Sequence, residues 1–313
     1  MNVDVMLRAR VDVAGEPAPL APDGLINRAG DASRPCLENR VAYQWEGRGD
    51  IVGFRHGTIR DGTILEFIRS GVDLAASAPA VLDVGCGYGN HLFMLHSMLG
   101  KPRNLRLVGV NIDDNQLAYA RSFASAVEGY GACEFRHADL GAGLPFADGT
   151  FQVSSLSDVL EHMTDPAAAL RELVRVTRPG GLIVLSTPLK GGLFKAAAKA
   201  ANWLCGGRLY RSYYTGKGTE LDGQGRPVMK VHAGHDHISE MKYRALKRLV
   251  RSVGLEITGR QLMQVMSGSR WFDRHPFLLS GLMFLEAVHG VLRRPSWAHS
   301  VTLRLRVPAV PTT

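Results

Sequence analysis

"VLDVGCGYGN", residues 81–90, is the stretch that decides the fold. An apolar run carries one acid, Asp83, and then turns into three glycines, Gly85, Gly87 and Gly89. A buried strand that ends in bare residues before a helix can bring a polar ligand against backbone. A Cβ there would block the approach, and glycine accepts the tight turn. A dinucleotide fingerprint wants G-x-G-x-x-G. Here the sixth position is Asn90, and the third glycine comes one residue early, at Gly89. No Gly-Lys-Ser/Thr follows, which excludes a P-loop. The turn alone leaves the ligand open, so its surroundings must decide.

Working outward, short apolar runs alternate with helical patterns. "AVLDVG" reads as a buried strand, "NHLFMLHSMLG" as a helix ending at Gly100, and "LRLVGVNI" as a second strand. "DDNQLAYARSFASAVEG" is a helix capped by Asp113 or Asp114. "CEFRHADL" and "FQVSSLSDV" are strands three and four, "DPAAALRELVRVTRPGG" a helix stopped by Pro179, and "LIVLSTP" strand five. This alternation implies an α/β fold with a parallel sheet and helices on both faces. Such sheets bind ligands at the carboxyl ends of their strands. Residues 191–235, Gly- and Lys-rich, read as a cap insertion. "SEMKYRALKRLVRSVG" reads as an amphipathic helix opened by Ser239, and "LEITGRQLM" and "HSVTLRLRV" as closing strands. Between them "HPFLLSGLMFLEAVHGVL" is an apolar helix, short for a membrane span. A lid, a dimer face and an interfacial helix all fit it.

The 313 residues suit one large domain: a loose arm over 1–35, then a domain over 36–313. Within it lie a core at 78–190, the cap at 191–235 and closing elements at 236–313. Four dispersed cysteines, Cys36, Cys86, Cys133 and Cys205, form no metal-like cluster and suit a reduced compartment. The first residues lack an apolar leader core, so a cytoplasmic location is expected. Net charge is +8 but uneven. Residues 1–189 hold 17 Lys/Arg against 22 Asp/Glu, whereas 190–313 hold 20 against 7. The basic half is either a solvated face or a surface that attracts anions.

With these segments in order, the sequence resembles the class I S-adenosylmethionine-dependent methyltransferases, in their small-molecule (type 11-like) group. "VLDVGCGYGN" looks like their first motif and "LVGVNIDDNQLAYAR" their second strand and helix. "ADLGAGLPFADGTFQ" looks like their adenine loop, and "LSDVLEHMTDPAAALRELVRVTRPGGLIVLSTP" the rest of the core. The resemblance implies a Rossmann-like, seven-stranded, mostly parallel sheet and S-adenosyl-L-methionine as cofactor. By position it implies that Gly85, Gly87 and Gly89, with Cys86 as small filler, admit the cofactor, and that Asp83 helps to hold its ammonium. Asn111, where the family has an acid for the ribose hydroxyls, can both accept and donate. Ile112, Asp139, Leu140 and Ser157 complete the cofactor set, and Tyr43 lies in a segment that folds over it.

The transfer implied is an in-line displacement that needs alignment and exclusion of water, plus a base if the nucleophile is a hydroxyl. His162 after strand four, and His235 and His237 in "VHAGHDHIS", are the histidines placed for that task; structural bracing is the alternative for each. No metal site is expected. The acceptor expected is a small or lipid-like molecule methylated on a hydroxyl: a natural product, a glycolipid or sugar, or a quinone-like compound. C- or N-methylation, RNA methylation and non-catalytic cofactor binding are the alternatives. Nucleic acid is not the expected partner, because the place after strand four reads "SLSDVLEH" and no basic-aromatic RNA module is present. Peripheral membrane contact through 274–294 and a homodimer are further expectations.

Overall fold

The computed structural model describes residues 51–126, 130–191, 200, 203–204, 206, 238–263 and 275–309. A first helix, α1 (Ile51–Arg69), precedes β1 (Ala80–Val84), α2 (Asn90–Met98), β2 (Arg106–Asn111), α3 (Asp114–Ala126) and β3 (Cys133–His137). Then come β4 (Phe151–Ser157), a single 3-10 turn (Leu160–His162), α4 (Pro166–Val176) and β5 (Thr177–Pro188). The chain closes with α5 (Tyr243–Ser252), β6 (Glu256–Met263), α6 (Pro276–Leu292) and β7 (Ser300–Arg306).

Among the described residues seven strands form one sheet in the order β3-β2-β1-β4-β5-β7-β6. β1 to β5 run parallel and β7 runs antiparallel to both β5 and β6. The order reverses between β1 and β4, where a parallel sheet opens a crevice at its carboxyl edge. Side chains alternate across the sheet with period two, so each strand feeds both faces. Val81, Leu107 and Val153 pack under α1, α2 and α3 with Ile64, Leu65, Leu92 and Leu117. Leu82, Val108 and Leu156 pack on the other face against Leu170, Leu173, Leu246 and Val250 of α4 and α5.

Two segments depart from the sequence reading. α5 starts at Tyr243 rather than at Ser239. The Ser239 hydroxyl donates instead to Leu160 O (2.8 Å), and its N–H to Glu161 O (2.9 Å), bracing the 3-10 turn. And α1, which the apolar pattern did not announce, is a full helix whose Ile64, Leu65 and Ile68 are buried against the sheet. Most of the expected cap, 191–235, lies outside the described residues.

Candidate functional site

The three glycines of the turn all have left-handed backbone, with φ of 70°, 54° and 80° at Gly85, Gly87 and Gly89. They differ in what surrounds them. A Cβ on Gly85 would meet Val159 Cγ2 at 2.3 Å, and one on Gly89 would meet the Phe135 ring at 2.6 Å. A Cβ on Gly87 would meet only Gln116 Oε1, at 3.7 Å. Protein packing therefore accounts for two of the glycines, while Gly87 has room, with only the end of the Gln116 side chain near it. α2 starts directly behind, with no side chain capping it, so its first N–H groups and positive dipole end point at the turn. A small polar ligand with an anionic end fits this cradle.

Beneath the turn, Asp83 is buried and its Oδ1 accepts from Ser155 Oγ at 2.7 Å. His91 lies between two acids, with Nδ1 3.8 Å from Asp83 Oδ2 and Nε2 3.3 Å from Asp61 Oδ1. Asp83 thus braces the turn from below, and α1 joins in through Asp61. Cys86 is buried, and burial first, with Asp83 second, pushes its thiol well above the ordinary range. That agrees with filler and not with a nucleophile. The filler needs Gly109 beside it, since a Cβ there would meet Cys86 Sγ at 2.8 Å.

At the end of β2, Asn111 Oδ1 accepts from the Ile112 N–H (2.9 Å) and Nδ2 donates to Gln116 Oε1 (2.7 Å). Two neutral amides, Asn111 and Gln116, thus stand beside Gly87 where a carboxylate was expected to be replaced by one. Gln116 carried no sequence signal of its own; only the helical turn after Asp113 brings it back to Asn111. Asp113 is the cap of α3, accepting from Asn115 N and Gln116 N. Ile112 leaves its side chain largely exposed at the strand end.

The loop after β3 holds Asp139, exposed, with Oδ1 accepting from Gly141 N (2.8 Å), and Leu140, buried. Its far side is pinned by α4. Glu172 Oε1 accepts from Leu144 N (2.6 Å), and Arg175 donates to Phe146 O (2.7 Å) and Leu144 O (3.0 Å). The Arg175 guanidinium holds the Glu172 carboxyl below its usual range.

Ser157 ends β4, and the 3-10 turn that follows carries His162 at the same edge, half-buried. Its neighbour Glu161 is buried and accepts from Thr187 Oγ1 at 3.0 Å. Between them, Asp158 takes a left-handed φ of 53° and pairs with Arg60 of α1. The charge of Asp158 first, against the opposing effect of burial and with help from Asp61, raises the Arg60 guanidinium above its usual value. Gln152 of β4 is a brace: its Oε1 accepts from Asp73 N (3.0 Å) and its Nε2 donates to Asp73 O (3.1 Å). The structure thus brings Asp83, Gly85, Cys86, Gly87, Gly89, Asn111, Ile112, Asp139, Leu140, Ser157 and His162 to one edge. Tyr43, His235 and His237 lie outside the described residues. The sequence reading missed Arg60, Asp61, His91 and Gln116.

Comparison with known proteins agrees with the fold. Residues 82–185 match a protein-family model described as a methyltransferase domain. An uncharacterized methyltransferase of Mycobacterium sp. (strain JLS) is 32% identical over 165 residues, covering 52% of this chain and 61% of the relative. The chloroplastic tocopherol O-methyltransferase of Arabidopsis thaliana is 36% identical over 107 residues, 34% of this chain and 29% of the relative. The matches thus span less than two thirds of these relatives' length. A putative sarcosine dimethylglycine methyltransferase from Galdieria sulphuraria shares the fold, with a TM-score of 0.53 at 14% identity over 90% of this chain and 99% of that one. Glycine turn, strand order and sequence match converge: residues 82–185 match a methyltransferase domain, set in a seven-stranded sheet with the Rossmann-like class I methyltransferase fold.

Proposed function

We propose that this protein is an S-adenosylmethionine-dependent methyltransferase that acts on a hydroxyl of a small or amphiphilic acceptor. The observation that carries the reading is Gly87: a left-handed glycine that no packing contact demands, between an uncapped helix start and the Asn111–Gln116 amide pair. Those groups suit the amino-acid and ribose ends of the cofactor. Asp139 and Leu140 lie on the next loop along the edge, as an adenine site requires. When bound, the cofactor supplies a methyl group on a sulfonium.

What remains for the chain is to orient the acceptor and take its proton. His162, on the turn after β4, serves as the base in this reading. Two braces fix its turn: Ser239 bonded to Leu160 and Glu161, and Thr187 bonded to Glu161. A base that needs no rearrangement is worth most when positioned in advance. The name of the Arabidopsis relative specifies O-methylation of tocopherol, which favours a hydroxyl acceptor here too.

Calorimetric titration of the full chain with S-adenosylmethionine and its demethylated product tests the cofactor. Micromolar binding, lost in Gly87→Arg, is expected; no binding to either overturns the reading. Methyl transfer to a panel of hydroxyl-bearing amphiphiles then tests the acceptor. His162→Ala should lower turnover ~100-fold or more with cofactor affinity unchanged. Unchanged turnover removes His162 from the reaction.

A further inference from the structure

Helix α6 buries a histidine while leaving several of its large apolar side chains in solvent. His289 is buried, with Nε2 donating to Arg294 O at 3.1 Å and its ring stacked on Trp297 at 6.4 Å. Glu286, one turn earlier, is half-buried on the same side. Outward, Phe277, Phe284 and Val291 are 93%, 68% and 82% exposed. They are seven residues apart, so they form one stripe along the helix. Met283, Leu285 and Leu292 widen it, and all three are exposed. The outward stripe carries no charge. A face of this kind in water marks a surface that something covers.

The topology says where that surface lies. β7 runs antiparallel to β5, with Pro188 beside Ser300, and Met263 of β6 pairs with Ser300 as well. The connection 264–299, which contains α6, therefore leaves and re-enters the sheet at the carboxyl edge of the parallel strands. That is the edge that carries the glycine turn and His162. α6 thus belongs to the connection that returns to the sheet on the same edge as the site.

The charge says what covers it. Arg293 and Arg294, both exposed, follow α6 directly, and Lys190 is exposed at the end of β5. They belong to the half of the chain with 20 Lys/Arg against 7 Asp/Glu. A second copy docked by the same face would bring two such cationic surfaces together, which opposes association. An acidic bilayer surface instead complements the arginines while its acyl boundary takes the phenylalanines. No helix among the described residues is long and apolar enough to cross a membrane. The geometry points to α6 as an interfacial helix that lies in the plane of an anionic membrane and turns the site mouth toward it, so that an amphiphilic acceptor enters from the lipid. Membrane binding stands by itself; the acceptor route rests on the methyl-transfer reading.

Flotation of the full chain with vesicles separates these. Wild type should co-float with phosphatidylcholine–phosphatidylglycerol vesicles and not with phosphatidylcholine alone. Phe277→Ser with Phe284→Ser should lower the bound fraction at least about tenfold. Arg293→Gln with Arg294→Gln should weaken binding and flatten its salt dependence. Unfolding midpoints verify that each variant is folded, and cofactor titration of the same samples reports the catalytic reading separately. Wild type that binds cofactor but floats with neither vesicle overturns the membrane proposal alone. So does flotation unaffected by both double variants. A wild-type dimer that these serines dissociate, without flotation, assigns the face to a second copy instead and overturns it too.

Discussion

His91 Nε2 lies 3.3 Å from Asp61 Oδ1, and this contact ties α1 to the first turn of α2, directly behind the glycine turn. The other ring nitrogen lies 3.8 Å from the buried Asp83, so one imidazole serves two acids. Removing it takes one polar neighbour from each buried acid, leaving Asp61 with Arg60 and Asp83 with Ser155. His91→Ala should cost ~1–3 kcal/mol, read as a lower urea midpoint at unchanged slope. It should also weaken cofactor binding, because the turn loses its brace. An unchanged midpoint would mean that Asp61 and Asp83 are held by their other contacts.

The glycines of the turn should separate by cause. Gly85→Ala drives a Cβ into Val159 Cγ2 at 2.3 Å and imposes a φ of +70° on an L residue. Strain and overpacking together predict a loss of ~2–5 kcal/mol in stability. Gly87→Ala meets nothing closer than Gln116 Oε1 at 3.7 Å, so only the left-handed penalty of ~1–2 kcal/mol remains. Yet the Gly87 methyl would stand beside Gln116 at the turn where the cofactor is proposed to lie. Thermal unfolding should rank Gly85→Ala as the worse variant for stability, while titration should show Gly87→Ala impaired well beyond its stability loss.

The loop after β3 depends on a carboxylate that can be titrated. Arg175 holds the Glu172 carboxyl below its usual range, and Glu172 accepts from Leu144 N at 2.6 Å. A carboxyl lowered on folding stabilises the native state above its unfolded value of ~4.3, and the contribution is lost as pH falls through the lower folded value. Partial exposure of the pair limits the effect to ~1 kcal/mol. Glu172→Gln should therefore be less stable than wild type at pH 7, and the gap should close in the acid range below about pH 4. Denaturant midpoints across that range give the comparison.

The strands were legible because each is an apolar run ended by turn chemistry, and the glycines were legible because left-handed backbone at three nearby positions admits little else. α1 was not. Gly53, Gly57 and Gly62 interrupt its helical period, and the helix is held by docking Ile64, Leu65 and Ile68 on the sheet, a tertiary contact that overrides propensity. With α1 went Arg60 and Asp61, and hence the polar network under the site. Ser239 failed for a related reason. A serine before a helical pattern reads as a cap, but its hydroxyl serves equally well in a long-range contact, here with Leu160. Gln116 was hidden because its partner Asn111 lies on another element, and only folding sets their amides 2.7 Å apart.

That amide pair makes the sharpest prediction for the cofactor. Asn111 Nδ2 donates to Gln116 Oε1, and Asn111 Oδ1 takes the Ile112 N–H, so both ends of Asn111 are engaged within the protein. A ribose diol must then share these groups rather than meet a carboxylate of its own. Asn111→Asp removes the donor to Gln116 and supplies a charged acceptor, and charge-assisted hydrogen bonds are roughly twice as strong as neutral ones. A gain of ~1 kcal/mol, or about fivefold tighter S-adenosylmethionine, is expected by titration. Gln116→Ala, by contrast, should release Asn111 and weaken binding. Tighter binding in the first and weaker in the second would place the ribose at this pair; no change in either would place it elsewhere on the edge.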